Sequence, residues 1–157
     1  MILKIAGSTL KTTEFVQLNQ STALPGPDLP FPFKRHCMAK INENLVVIIG
    51  GEYSETNVVI VDINNNFSMS YGPKIINERY MHTCGTFKNN GKTNIIVAGG
   101  YNGTNMVNMT EIWDPTTEFG WIEGIHFTIW LIKKNCLHAI RPEDKEIPLL
   151  INNFKIN

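Results

Sequence analysis

The clearest pattern in the chain is an apolar run that ends in two glycines and occurs twice. Residues 94–100 read Asn-Ile-Ile-Val-Ala-Gly-Gly, and residues 45–51 read Leu-Val-Val-Ile-Ile-Gly-Gly. Short apolar runs rich in β-branched residues are typical of buried strands, because helices need longer periodic segments. Paired glycines permit a positive φ and a close approach of the backbone. A repeat with a period in the forties therefore indicates an array of similar β units.

Each glycine pair closes the second of four predicted strands. In the first unit we expect strands over 35–41, 45–51, 57–62 and 67–71. In the second unit we expect strands over 81–88, 94–100, 106–114 and 119–123. A turn at Asn90-Gly91 is a strong hairpin signal, because both residues tolerate a positive φ. Short strands joined by tight turns pair in antiparallel fashion, so each unit predicts a four-stranded antiparallel sheet.

Partial copies of this unit lie at both ends of the chain. Residues 1–33 match the end of the second strand and then the third and fourth strands. They finish in a proline-rich stretch, 21–32, which we expect to connect sheets rather than form a strand, because proline donates no ladder hydrogen bond. Residues 129–157 match the first two strands, with Asn152-Asn153 in place of the glycines. The predicted units are therefore 1–33, 34–78, 79–128 and 129–157.

These motifs resemble kelch repeats, in which an Arg/His-led strand precedes a strand closed by Gly-Gly, followed by an aromatic before Asp-Pro and a later Trp. The positions that carry the resemblance are Arg35, His36, Gly50, Gly51, Arg79, His82, Gly99, Gly100, Trp113, Asp114, Pro115 and Trp121. The chain departs from the family in one spacing, because seven residues separate Trp113 from Trp121 where the family usually has six. The resemblance implies an all-β fold, a kelch-type β-propeller fragment built of four-stranded antiparallel blades, with the strands that start at His36 and His82 innermost.

The chain holds about three blades of material, which predicts an incomplete ring. Both ends carry a copy of the second strand, whereas a propeller closed by its own termini needs that strand once. We therefore interpret the chain as a segment of a longer propeller or a shortened product. Open blade edges and apolar faces are templates for pairing with another chain, so self-association is expected.

Composition excludes several classes of partner. Lys+Arg and Asp+Glu both number 14, so there is no basic field to hold a phosphate backbone, and no nucleic-acid partner is expected. No apolar run is long enough to cross a bilayer, so no membrane partner is expected. The start of the chain is a poor signal peptide, because Lys4 interrupts its short apolar segment. This slightly favours the cytoplasm, but four N-glycosylation sequons, at Asn19, Asn66, Asn102 and Asn108, leave an extracellular parent open.

Three cysteines, Cys37, Cys84 and Cys136, have no metal-binding CxxC spacing. We interpret them as buried thiols, with one disulfide, Cys37 to Cys84 for example, as the alternative. His36, His82 and His138 recur at one phase of the repeat. Because no acidic or cysteine ligand recurs with them, they are interpreted as a copied structural position rather than as a metal site. A Cys one or two residues from a His on a strand cannot form an oriented catalytic pair. No enzyme activity, metal or cofactor is therefore expected.

The loops after the glycine pairs differ in length and charge while their flanking strands match. They begin with Glu52-Tyr53 and Tyr101-Asn102. Loops held on a rigid scaffold are where binding specificity usually resides. We therefore expect a non-enzymatic protein–protein interaction scaffold of kelch type that binds an unidentified protein through these loops. The alternatives are a fragment of a propeller enzyme or glycan-binding protein, and a truncated product without independent function.

Overall fold

The computed structural model describes residues 2–5, 11–16 and 23–126, and for 2–5 and 15–16 it describes the backbone alone. The fold of this part is all-β, as the repeat pattern predicted, and every sheet is antiparallel. The first sheet contains β1 (Ile2–Ile5), β2 (Thr13–Val16) and β3 (Ala23–Pro25). The second contains β4 (Cys37–Lys40), β5 (Leu45–Ile49), β6 (Val58–Asp62) and β7 (Ser68–Tyr71). The third contains β8 (Thr83–Asn89), β9 (Lys92–Ala98), β10 (Met109–Trp113) and β11 (Ile122–His126).

The two four-stranded sheets confirm the predicted strand order. Their strands pair in sequence order, β4-β5-β6-β7 and β8-β9-β10-β11. The predicted Asn90-Gly91 hairpin joins β8 to β9, with a positive φ at both turn residues. All eight predicted strands differ from the observed ones at one or both ends, and the last, expected over 119–123, lies at Ile122–His126. Arg35 has φ 57°, which is incompatible with a strand, and Met106 makes only an isolated bridge to Tyr101.

The proline-rich connector was expected to contain no strand, and this expectation is wrong for Ala23–Pro25. These residues pair with β2, with Pro25 opposite Glu14 and Ala23 opposite Val16. Among the described residues β3 lies at one side of its sheet, next to β2 alone. Proline is tolerated on such a strand, because a missing N–H there costs no ladder bond.

The second sheet is buried on both faces. On one face Val47, Ile49 and Val58 join Ile95 and Trp113 of the third sheet in an apolar cluster. On the other face Ile48, Val59 and Val61 pack with Leu29 and Phe33 of the connector. The alternation of side chains along β5 and β6 thus divides their β-branched residues between two separate cores.

The second and third sheets pack face to face, with β4 and β8 as neighbours. The described residues do not close a ring. Their third sheet ends in β11, and the predicted unit 129–157, including His138 and Asn152-Asn153, lies outside the described part. The described part also contains no helix long and apolar enough to span a membrane.

Candidate functional site

The two glycine pairs form turns of the same geometry at the same end of their sheets. Gly50 and Gly51 have φ 55° and 109°, and Gly99 and Gly100 have φ 67° and 95°. A Cβ on Gly51 or on Gly100 would lie 2.8 Å from a carbonyl oxygen of the preceding connector. The positive φ and the short distance to a carbonyl oxygen both exclude residues that carry a side chain. The prediction of a positive φ at these glycines is confirmed.

His36 and His82 each pack against the second glycine of a pair. The Cβ position of Gly51 is 2.9 Å from His36 Cβ, and that of Gly100 is 2.8 Å from His82 Cβ. Burial lowers the pKa of both imidazoles, and that of His82 falls to about 3, helped by the nearby Arg79 charge. The nearby Ile49 carbonyl acts against this lowering of the pKa. Neither His82 nitrogen has a hydrogen-bond partner among the described residues. His82 is therefore held neutral.

Cys37 and Cys84 form a disulfide, so the interpretation of these two residues as buried thiols is wrong. Their Cα atoms are 5.8 Å apart, within the range that a disulfide bridges. Cys37 lies on β4 and Cys84 on β8, the neighbouring first strands of the second and third sheets. The bond therefore links two sheets rather than two strands of one sheet. Cys136 lies outside the described residues.

Arg79 is fully buried and forms an ion pair with Glu111, which is also fully buried. The Arg79 guanidinium also donates hydrogen bonds to the carbonyls of Gly99, at 2.9 Å, and Met109, at 3.2 Å. Glu111 accepts the backbone N–H groups of Ile76 and Asn77 at 2.6 and 3.0 Å. Burial lowers the pKa of Arg79, and the Glu111 carboxylate opposes that shift. This network ties the connector between the sheets to the glycine turn and to β10.

Sequence reasoning did not single out Glu111. The available signal was an acidic residue within the otherwise apolar end of β10, Ile112-Trp113, where burial of a charge requires a partner. Comparison of the two repeat units does not reveal that partner, because Phe33 occupies the position in the preceding connector that Arg79 occupies here.

The aromatic positions of the repeat lie between the sheets. Trp121 is buried, and its indole N–H donates to the Pro73 carbonyl at 2.8 Å. Its ring lies 5.6 Å from that of Trp113, centroid to centroid. Asp114 follows Trp113 and closes the turn at Pro115, where its Oδ1 accepts hydrogen bonds from Thr116, which lower the pKa of the carboxyl.

The glycine turns also place two exposed clusters at one end of the molecule. We call this surface the loop face, and its residues are Lys34, Arg35, Glu52, Tyr53, Met81, Tyr80, Tyr101, Asn102 and Met106. In the first cluster, Glu52 pairs with Lys34 at 3.2 Å and with Arg35 at 3.3 Å. The Lys34 ammonium lies 5.9 Å from the centre of the exposed Tyr53 ring. The Arg35 carbonyl accepts the N–H of Met81 at 2.9 Å, which connects this cluster to the third sheet.

The second cluster surrounds Tyr101. Its ring meets that of Tyr80 edge to face at 5.5 Å, and the two backbones exchange hydrogen bonds of 2.9 and 3.0 Å. Asn102 is exposed, and its Oδ1 accepts the N–H groups of Thr104 and Asn105. Met106 bridges back to Tyr101 and is 44% exposed. The structure thus brings the four predicted loop residues to one face and adds five residues to them: Lys34, Arg35, Tyr80, Met81 and Met106.

The loop face presents aromatic, thioether and guanidinium groups in fixed positions. Three of its non-glycine residues, Arg35, Tyr53 and Met81, have a positive φ, which is uncommon and concentrates at functional sites. The described residues hold no group of three His, Cys, Asp or Glu side chains that could bind a metal ion. An open hollow of about 440 Å³ is lined by Phe31, Asn57, Val58, Tyr71, Gly72 and Lys74, without a carboxylate or an imidazole.

Comparisons of the chain with protein-family models and with curated proteins found no match.

Proposed function

We propose that the chain is part of a kelch-type β-propeller and acts as a non-enzymatic scaffold that binds a protein through the loop face. The observation that carries the proposal is the group of exposed Tyr53, Met81 and Arg35 side chains beside the glycine turns, on residues that all have a positive φ. Tyr, Met and Arg are enriched in protein interfaces, and Tyr and Arg are enriched among their binding hot spots.

Repeated backbone geometry supports the propeller part of the proposal. Gly26 N–H donates to the Thr13 carbonyl at 2.8 Å, and Gly72, 46 positions later in the sequence, donates to the Val58 carbonyl at 3.0 Å. Arg35 and Met81 have almost equal positive φ values of 57° and 54°. Sheets that repeat the same connector, and that pack face to face with their first strands adjacent, are what a propeller requires of neighbouring blades.

Fixed side chains favour binding because little conformational entropy is lost when a partner docks. The Glu52 carboxylate pairs with Arg35, and the Lys34 ammonium lies over the Tyr53 ring, so these groups are positioned before any partner arrives. The residues that carry charge within the sheets, Arg79 and Glu111, are instead fully buried and paired. They stabilise the scaffold and are inaccessible to a partner.

Affinity capture with quantitative mass spectrometry tests this proposal in cells that make the protein. The variant Tyr53→Ala/Met81→Ala removes two exposed anchors of the loop face. Phe119→Ala is the matched control, because Phe119 is the most exposed aromatic of the described residues, at 79%, and follows β10 at the opposite end of the third sheet. We expect a partner that the natural chain and Phe119→Ala retain. The double variant should weaken its binding at least about 30-fold, the effect of losing a hot spot of about 2 kcal/mol.

Equal capture by all three chains would contradict the proposal, because the loop face would then contribute nothing. A glycan array with the same three chains separates the main alternative. Binding to defined oligosaccharides that is lost in Tyr53→Ala/Met81→Ala would indicate a glycan-binding protein instead.

A further inference from the structure

The disulfide carries information about the compartment in which the chain folds. Cys37 and Cys84 are 47 positions apart in sequence, and each belongs to a different sheet. The two sulfur atoms therefore meet only when both sheets have formed and docked. Disulfides form and persist in oxidising compartments and are rare where the cell keeps thiols reduced.

A second and independent feature points to the same environment. The sequons Asn66-Phe-Ser68 and Asn102-Gly-Thr104 both lie in turns, and the Asn and hydroxyl residue of each are exposed. Neither Asn donates a hydrogen bond from its side-chain nitrogen, Nδ2, to any described residue, so this atom is free to carry a substituent. A Cβ built on Gly103, next to Asn102, would meet no atom within 4 Å, so the surroundings of the loop are open.

The sequon at Asn108 differs from the other two described sequons in the burial of its hydroxyl residue. Asn108 is exposed, but Thr110 of that sequon is buried in β10, where its hydroxyl donates to the Ile125 carbonyl at 3.2 Å. The folded sheet thus hides the hydroxyl that a glycan-transferring enzyme must reach. Asn108 is therefore left out of the proposal, and the sequon at Asn19 lies outside the described residues.

We propose that the chain carries N-linked glycans on Asn66 and Asn102, added in the oxidising compartment where the Cys37–Cys84 disulfide forms. The transfer forms a bond from Asn Nδ2 to the anomeric carbon of an oligosaccharide and breaks the bond from that carbon to the diphosphate of a lipid-linked donor. The lipid diphosphate leaves, and one amide proton goes to solvent. The disulfide forms when an oxidised protein dithiol takes two electrons and two protons from the two thiols.

The glycans on Asn66 and Asn102 would lie on different surfaces of the molecule. Asn66 lies in the turn between β6 and β7, which leaves the sheet at the end opposite the glycine turn. Asn102 lies on the loop face, directly after Tyr101. A glycan there would cover the second cluster and leave the first cluster, around Arg35 and Tyr53, as the surface open to a protein. The inference stands without the proposed function, because glycan attachment does not depend on whether a partner binds.

Peptide mass spectrometry of the chain isolated from cells that make it tests the proposal. Samples are alkylated before reduction and treated with peptide N-glycosidase, which converts a glycosylated Asn to Asp. We expect conversion at Asn66 and Asn102 and a Cys37–Cys84 disulfide that resists alkylation. Unmodified Asn66 and Asn102 would overturn the proposal, whether the disulfide is present or Cys37 and Cys84 are alkylated as free thiols.

Variants expressed in the same cells assign each site. Asn102→Gln and Thr104→Ala should both remove one glycosidase-sensitive step in gel migration, whereas Thr104→Ser should retain it. Asn105→Gln is the matched control, because Asn105 is an exposed residue of the same loop outside any sequon. The Asn102 assignment fails if Thr104→Ala migrates like the natural chain before and after glycosidase treatment.

Discussion

Removal of both charges of the buried Arg79–Glu111 pair should cost much less unfolding free energy than the sum of the two single removals. Arg79→Met leaves the Glu111 carboxylate buried without its cation. Glu111→Gln keeps an acceptor for the N–H groups of Ile76 and Asn77 but leaves the Arg79 charge unpaired. Breaking a buried ion pair in this way costs about 3–5 kcal/mol, because the remaining charge is deprived of both water and partner.

The double variant contains no buried charge. Arg79→Met/Glu111→Gln still loses the hydrogen bonds of the guanidinium to the carbonyls of Gly99 and Met109. Each such loss of a buried partner costs about 1–3 kcal/mol, so we expect a total of about 2–6 kcal/mol. The single variants together cost about 6–10 kcal/mol by the estimate for broken pairs. From the middle of each range, the two substitutions should be coupled by about 4 kcal/mol.

Urea unfolding followed by tryptophan fluorescence measures the four free energies of this cycle, because Trp113 and Trp121 lie in the adjoining core. Lys40 and Glu43 provide the control cycle. Their ion pair is 2.8 Å long, but the side chains are 54% and 91% exposed, so Lys40→Met and Glu43→Gln should be coupled by less than about 1 kcal/mol. Coupling at Arg79–Glu111 no larger than at this surface pair would refute the argument that the buried charges depend on each other.

Four further outcomes follow from the same structure. Gly100→Val should lower the free energy of unfolding by several kcal/mol in a thermal melt, well beyond the roughly 1 kcal/mol of an average substitution. Gly85→Val is the control and should show no such loss, because a Cβ on Gly85 meets no atom within 4 Å. Trp121→Ala should cost about 3–5 kcal/mol, and acrylamide should quench Trp121 much less than free indole; quenching equal to free indole would contradict its burial. The pKa of His82 is about 3 in the folded state and 6.5 in the unfolded chain. The free energy of unfolding should therefore be highest above pH 6.5 and fall by up to about 5 kcal/mol towards pH 3. A His82→Leu chain with an unchanged dependence of stability on pH would refute this. Light scattering at micromolar concentration should show dimers or larger assemblies, because the outer strands of the described sheets have unpaired edges. A monodisperse monomer of 17.7 kDa that unfolds cooperatively would contradict this expectation.

The repeat was predictable because local chemistry determines it. The run 45–51 contains both a strand and the turn that closes it. Its apolar residues form β5, and its second glycine adopts a positive φ against His36. The disulfide was not determined in this way. Cys37 follows His36 by one residue and Cys84 follows His82 by two, so the cysteines differ in phase within the repeat. Their pairing depends on how two sheets dock, which the pattern of either sheet alone does not contain.

The loop face was only partly predictable for a similar reason. Tyr53 and Tyr101 were singled out because they follow the glycine pairs directly. Met81 and Lys34 belong to connectors that precede the sheets in sequence. They reach the same face because the connector crosses from one sheet to the next, as the hydrogen bond from Met81 N–H to the Arg35 carbonyl shows. Predicting this contact requires the packing of two units, not the repeat within one.

The two interfaces of the second sheet satisfy burial by different chemistry. Phe33 stands three residues before His36, as Arg79 stands three before His82, and Val59 pairs with Ile48 as Glu111 pairs with Val97.

An apolar pair therefore occupies one interface where an ion pair occupies the other. The backbone donors of the two connectors differ in the same way. Ile76 donates its N–H to the Glu111 carboxylate, whereas Pro30, at the matching position of the other connector, has no N–H. The fold thus requires filled space at this position but not charge. The side-chain hydrogen bonds of Arg79 and Glu111 run to the connector, to the glycine turn and to β10, so the pair fastens the connector to the sheet that follows it. Loss of either charge alone would leave the other buried without a partner, at a cost of about 3–5 kcal/mol, a penalty that the apolar pair of Phe33 and Val59 does not carry.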